Sequence, residues 1–152
     1  MSLADVLNDQ VAQELLTSAT LARLAYSWTD GTPRVVPIWF HWTGTEVVMG
    51  TFPRAPKLKA LGSGAPVALT IDGTSFPYRV LLLRGLAVVT HADGVTPEYA
   101  QAAVRYFGPE QGKAWVEQVK AMNLGGMARI SVVPTYARIL DFQTRFPSAL
   151  SG

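Results

Sequence analysis

The chain has 152 residues, enough for one domain with a substantial core and too few for two. Hydrophobic residues make up 49% and charged residues 16%, which excludes a disordered chain, and a net charge of +2 is too slight to mark a nucleic-acid binder. With no cysteine there are no disulfides, thiolate metal sites or cysteine nucleophiles, and His41 and His91 alone do not make an ordinary zinc site.

The opening MSLADVLNDQ has neither the basic stretch nor the apolar core of a signal peptide. The longest apolar runs, VLLL and LAVV, are interrupted by Arg84 and fall far short of a membrane span. A cytoplasmic protein with no membrane and no nucleic-acid partner is expected. In chain order, Val6, Leu7, Val11, Leu15 and Leu16 predict one amphipathic helix over residues 4–18. TLARLAYSW alternates as a strand and ends in TDGTP, where Asp30-Gly31 signals a hairpin. PRVVPIWFHW is a second strand, and Thr43-Gly44 turns it into a third, TEVVMGT. A short helix follows from about Pro56, stopped by Gly62 and Gly64.

PVALTID is then a fourth strand, and YRVLLLRGLAVVT is the longest β-like run. Its central Arg84-Gly85 predicts a bulge or strong bend, as where a strand curls around a small barrel. Thr96-Pro97-Glu98 opens a helical hairpin as N-cap, N1 and N2, broken at Gly108-Pro109 and ended by Asn123 and Gly125-Gly126. Two last β-like runs, MARISVV and TYARILDF, flank Pro134. Six strands with a helical insertion close most economically into a barrel, because closure removes exposed edges. The expectation is a single α+β domain holding a six-stranded antiparallel split β-barrel with peripheral helices.

Little in the chain looks like an acid–base or nucleophilic constellation. Ser63 lies in GSG rather than in a nucleophile turn, Asp72 and Asp141 sit at strand ends, and no glycine-rich nucleotide loop is present. The basic stretch TFPRAPKLKAL stands out. Arg54, Lys57 and Lys59 crowd the start of the short helix, where unpaired N–H groups already carry partial positive charge. A bound phosphate reverses that penalty; alternatively, the three side chains simply point into water. Pro37, Trp39, Phe40 and Trp42 on one side, and Phe76, Tyr78 and Arg79 on the other, are walls for a flat ring with a phosphorylated tail, or else ordinary core.

In this order, LARLAYSWTDGTPRVVPIWFHWTGTEVVMGTFPRAPKLKAL, APVALTIDG and FPYRVLLLRGLAVV resemble the pyridoxamine 5′-phosphate oxidase-like, FMN-binding split β-barrel family, within it the flavin and deazaflavin oxidoreductase branch; RYFG and the last strands continue the likeness more loosely. The resemblance implies a homodimer with a cofactor, FMN or the deazaflavin coenzyme F-420, at each end of the interface. It further implies that Arg34, Val36, Pro37, Trp39, Met49, Gly50 and Thr51 line the ring, and that Lys57 meets the cofactor phosphate with Lys59 and Arg54 assisting. Tyr78 and Arg79 fall where the partner-facing segment approaches the cofactor. The family's asparagine three residues after the lysine is Ala60 here. The residues that bind substrate phosphate in true pyridoxamine phosphate oxidases are not evident. The implied activity is hydride transfer between the cofactor and a small organic substrate, with no dedicated acid or base and no metal. The rival reading is a non-catalytic flavin-binding or sequestering protein; a single-stranded nucleic-acid binder through the same cations is disfavoured by the low charge.

Overall fold

The computed structural model describes residues 1–62 and 64–146, so Ser63 lies outside the described residues. The first helical stretch is two helices rather than one, α1 (Leu3–Asn8) and α2 (Gln10–Leu16). Asp9 makes the break. Its backbone is extended, its N–H donates to the Val6 carbonyl to end α1, and its carboxylate accepts from Val11 N at 2.9 Å to cap α2. Ser2 opens α1 with a reciprocal capping box to Asp5. Apolar spacing is indifferent to such a break, because both pieces bury the same stripe: Val6, Val11, Leu15 and Leu16 all enter the core.

Seven strands form one antiparallel sheet: β1 (Ala22–Ser27), β2 (Pro33–Ile38), β3 (His41–Trp42), β4 (Val47–Thr51), β5 (Ala65–Asp72), β6 (Arg79–Ala92) and β7 (Met127–Asp141), ordered β2-β1-β5-β6-β7-β4-β3. Two of the expected boundaries differ. PRVVPIWFHW is split at Trp39–Phe40 into β2 and β3, whereas the runs flanking Pro134 are one fifteen-residue strand. Pro134 is tolerated inside β7 because it sits at the predicted bulge: the β6–β7 register shifts between Arg84 and Gly85, and Gly85 stands opposite Pro134. Gly85 has its own reason to be glycine, since a Cβ there would lie 2.7 Å from both Val132 Cγ1 and the Val133 carbonyl oxygen.

The sheet is not closed by hydrogen bonds. Its two edges, β2 and β3, are nonetheless separated by only Trp39 and Phe40, so three peptide steps, at most about 11 Å, join one edge to the other. A sheet whose first and last strands are so tethered has to curl on itself. Inside the curl, Leu24, Ile38, Phe40, Val47, Met49, Leu69, Ile71, Leu81, Leu83, Ala87, Ile130 and Val132 form a continuous core that α1 and α2 plug.

The helical hairpin α3 (Pro97–Phe107) and α4 (Pro109–Ala121) matches its sequence signals. Thr96 Oγ1 accepts from Tyr99 N at 3.3 Å, Pro97 takes the first helical position, and Gly108 turns the chain at φ 88°. Gly112 lets the helices touch, because a Cβ there would lie 2.6 Å from the Val104 Cα. The hairpin lies over β3 and β4 through α3. No helix among the described residues is long and apolar enough to cross a membrane.

Candidate functional site

The stretch TFPRAPKLKAL leaves β4 at Thr51 and folds into one 3-10 turn, Pro56–Lys59, uncapped by any side chain. A single turn aligns too few peptide dipoles to present the donor-rich helix start that the sequence suggested, so the attraction for an anion rests on the side chains themselves. They differ. Arg54 and Lys59 are exposed, whereas Lys57 is half-buried, and that burial pulls its ammonium below the usual lysine pKa. No hydrogen bond or ion pair links the side chain of Arg54, Lys57 or Lys59 to another described residue. A partly desolvated cation without a protein anion is an unbalanced charge, and a phosphate placed against it supplies the missing partner. Arg54 lines a cleft of about 300 Å³ whose other lining residues are Phe52, Pro53, Asn123 and Leu124.

The expected ring-lining positions spread over several environments. Val36 is partly buried against the core, and Met49, 1% exposed, is inside it, so Met49 offers a ligand only its backbone. Gly50 lies beneath α3: a Cβ there would meet Met127 Sδ at 2.7 Å and the Tyr99 ring at 2.9 Å. Thr51 is half-buried opposite Ala128 at the end of β4. On β2, Pro37 is exposed and Arg34 lies 5.6 Å from the Trp28 ring centroid. Arg79 pairs with Glu14 of α2 at 2.8 Å, and Tyr78 is exposed edge-on to Phe76 at 5.8 Å.

Trp39 occupies the break between the sheet edges and is enclosed by rings of the hairpin. It stacks on Tyr106 at 5.2 Å, tilts toward Tyr99 at 5.4 Å and meets Phe107 edge-on at 5.1 Å; Tyr99 in turn accepts from Trp115 Nε1 at 2.9 Å. Burial raises the phenol pKa of both tyrosines. The backbone at the break has left its ladder, and α3 satisfies it. Phe40 N donates to Tyr106 Oη at 3.4 Å, the Phe40 carbonyl accepts from Arg105 Nη2, and Tyr106 donates to the Thr20 carbonyl at 3.0 Å. Arg105 Nε also donates to the Ser18 carbonyl at 2.8 Å, and its Nη1 lies 3.3 Å from His41 Nδ1. Burial first, and then the Arg105 charge, hold His41 below the usual histidine pKa against a weaker opposing pull from Glu98. Farther along the same face, Arg129 bridges Glu98 at 2.6 Å and Glu46 at 3.3 Å.

Sequence reasoning did not single out Arg105 and Tyr106 as a clamp, or Phe52 and Leu124 as facing walls. The signal for the first was present in RYFG, a charged and an aromatic residue side by side at a helix end. Among the described residues no group of three or more His, Asp or Glu side chains is gathered to hold a metal ion.

No protein-family model matches the chain, and neither does any curated protein. Solved structures do. A protein described as an F420 reductase is 26% identical with a TM-score of 0.67, over 83% of this chain and 94% of its own. A FAD- and heme-binding protein from Mycobacterium smegmatis is 24% identical with a TM-score of 0.60, over 83% and 67%. A putative pyridoxamine 5′-phosphate oxidase from Listeria innocua is 18% identical with a TM-score of 0.57, over 84% and 94%. The fold is that of the pyridoxamine 5′-phosphate oxidase-like proteins.

Proposed function

We propose, from this fold, that the chain is an oxidoreductase that binds FMN or the deazaflavin coenzyme F-420 and moves a hydride to or from a small organic substrate. One observation carries the reading: Lys57 is a half-buried cation whose side chain has no anion among the described residues, and the exposed cation Lys59 follows it two residues on. The cofactor, when bound, supplies the redox chemistry. The chain contributes charge, shape and rigidity. Lys57 holds the phosphate, and the backbone of β4 at Met49–Thr51 leads directly into the loop that carries it. The clamp of Arg105 and Tyr106 on Phe40 fixes the neighbouring Trp39.

The functional unit in this proposal is a homodimer with the cofactor at its interface. Supporting it, the outer face of the sheet leaves Val35, Leu86, Val88 and Val133 exposed, at 64%, 53%, 47% and 56%. Leu86 stands directly opposite Val133 on β7 and Pro66 on β5, with Val88 two residues on, so these exposed side chains are contiguous; Val35 lies on β2, three strands from β6. A second copy that covers them removes this surface from water.

The test is the affinity of Lys57→Glu for FMN and for the deazaflavin, read by fluorescence quenching. Placing a carboxylate where the phosphate docks is expected to weaken binding by about two orders of magnitude or more. Unchanged affinity for both cofactors sinks the anchor. Turnover of the reduced cofactor with quinones, enones and tetrapyrroles then separates an enzyme from a binding protein.

A further inference from the structure

The cleft between the loop after β4 and the turn from α4 to β7 has walls of two kinds. Phe52 and Leu124, each 42% exposed, are large apolar side chains left wet in a concave place, where burying them against a ligand is favourable. Among the described residues Arg54 is its only charged lining residue, has no ion pair, and shares the cleft with Asn123. A guanidinium without a carboxylate beside it favours a planar anion that accepts two parallel hydrogen bonds. The volume, about 300 Å³, suits one or two fused rings and is too small for a peptide helix.

We propose that this cleft is a subsite for an apolar ring compound bearing a carboxylate, and that this compound is the redox substrate. That the ligand is a substrate rests on the function proposed above; the cleft's chemistry stands apart from it. Arg54 is thereby separated from Lys57, the one reading a substrate carboxylate and the other the cofactor phosphate.

Equilibrium dialysis of the full chain with 2-naphthoate, with the neutral 2-naphthalenemethanol and with FMN tests the assignment. Naphthoate is expected to bind saturably and more tightly than the alcohol. Arg54→Gln should weaken naphthoate by about tenfold or more and leave the alcohol and FMN unchanged. Phe52→Ser, also exposed, should weaken naphthoate and the alcohol together, and Lys57→Glu should weaken FMN alone. The proposal is overturned if naphthoate does not saturate, or if Arg54→Gln leaves it unaffected. It is equally overturned if Arg54→Gln costs FMN as much as Lys57→Glu does, which returns Arg54 to the phosphate. If neither FMN nor the deazaflavin binds while Arg54-dependent naphthoate binding persists, the carboxylate site is upheld and the redox function alone falls.

Discussion

Lys57 is a liability to the free chain that the proposed cofactor phosphate would offset. Because burial lowers its pKa, the folded chain holds that proton less tightly than the unfolded chain does. Its ammonium therefore opposes folding at neutral pH, and the opposition fades only as the pH rises through the folded pKa. Lys57→Met should leave the thermal midpoint of the cofactor-free protein unchanged or raised, while the stabilisation that wild type gains from added FMN disappears; a calorimetric scan of both proteins with and without FMN reads the two effects. His41 titrates in a lower window. Its folded pKa is depressed, so the unfolded chain binds the proton more tightly and stability falls as the pH drops below about 6.5. The groups facing it are Arg105 and Glu98, and Glu98 is itself held ionised: burial works to raise its pKa, but the hydrogen bond and charge of Arg129 outweigh it. His41→Gln should flatten the decline of the melting temperature between about pH 7 and pH 5.5, and a decline as steep as wild type's would show that another group is responsible.

At the level of elements, the helical hairpin works as a fastener. Arg105 and Tyr106 supply donors and an acceptor to a stretch that has left its ladder, so Arg105→Met should cost about 2–5 kcal/mol in urea denaturation by leaving the Ser18 and Phe40 carbonyls without their donor. Gly85→Ala should cost about 1–3 kcal/mol by driving a methyl group into the Val133 carbonyl. The two positions differ in how far sequence could reveal them. Arg84-Gly85 was legible because glycine inside a long β-like run has few other uses. The break at Trp39–Phe40 was not, because the run VVPIWF that contains it is apolar throughout and the partner that holds it open arrives with α3. Asp9 escaped notice for a similar reason: an aspartate between two stretches of one apolar stripe caps or continues a helix with equal compositional ease. At the basic loop, composition located the cations and could not rank them, since only the packed turn makes Lys57 half-buried and sets Arg54 in a cleft with Phe52 and Leu124.

Over the whole molecule, the antiparallel sheet and the late hairpin were legible, because tight turns such as Asp30-Gly31 and Thr43-Gly44 dictate which strands are neighbours. The count of strands and the way the sheet ends depended on long-range packing. So did the exposed face of Val35, Leu86, Val88 and Val133, since alternation assigns side chains to faces and cannot say which face stays wet. Leu86→Asp paired with Val133→Asp should convert a dimer to monomers in analytical ultracentrifugation, with little loss of protomer fold because both side chains already face outward. A monomeric wild type would remove the dimer from the proposal.

The sheet's two borders also bear on how the protein behaves when crowded. One border, β2, begins with Pro33 and carries Pro37, each lacking the N–H that an incoming strand needs; the other, β3, is only two residues long. A foreign strand therefore finds no long, regular row of donors and acceptors to copy, and the same segment that seams the curled sheet also guards the molecule against templated fibril growth.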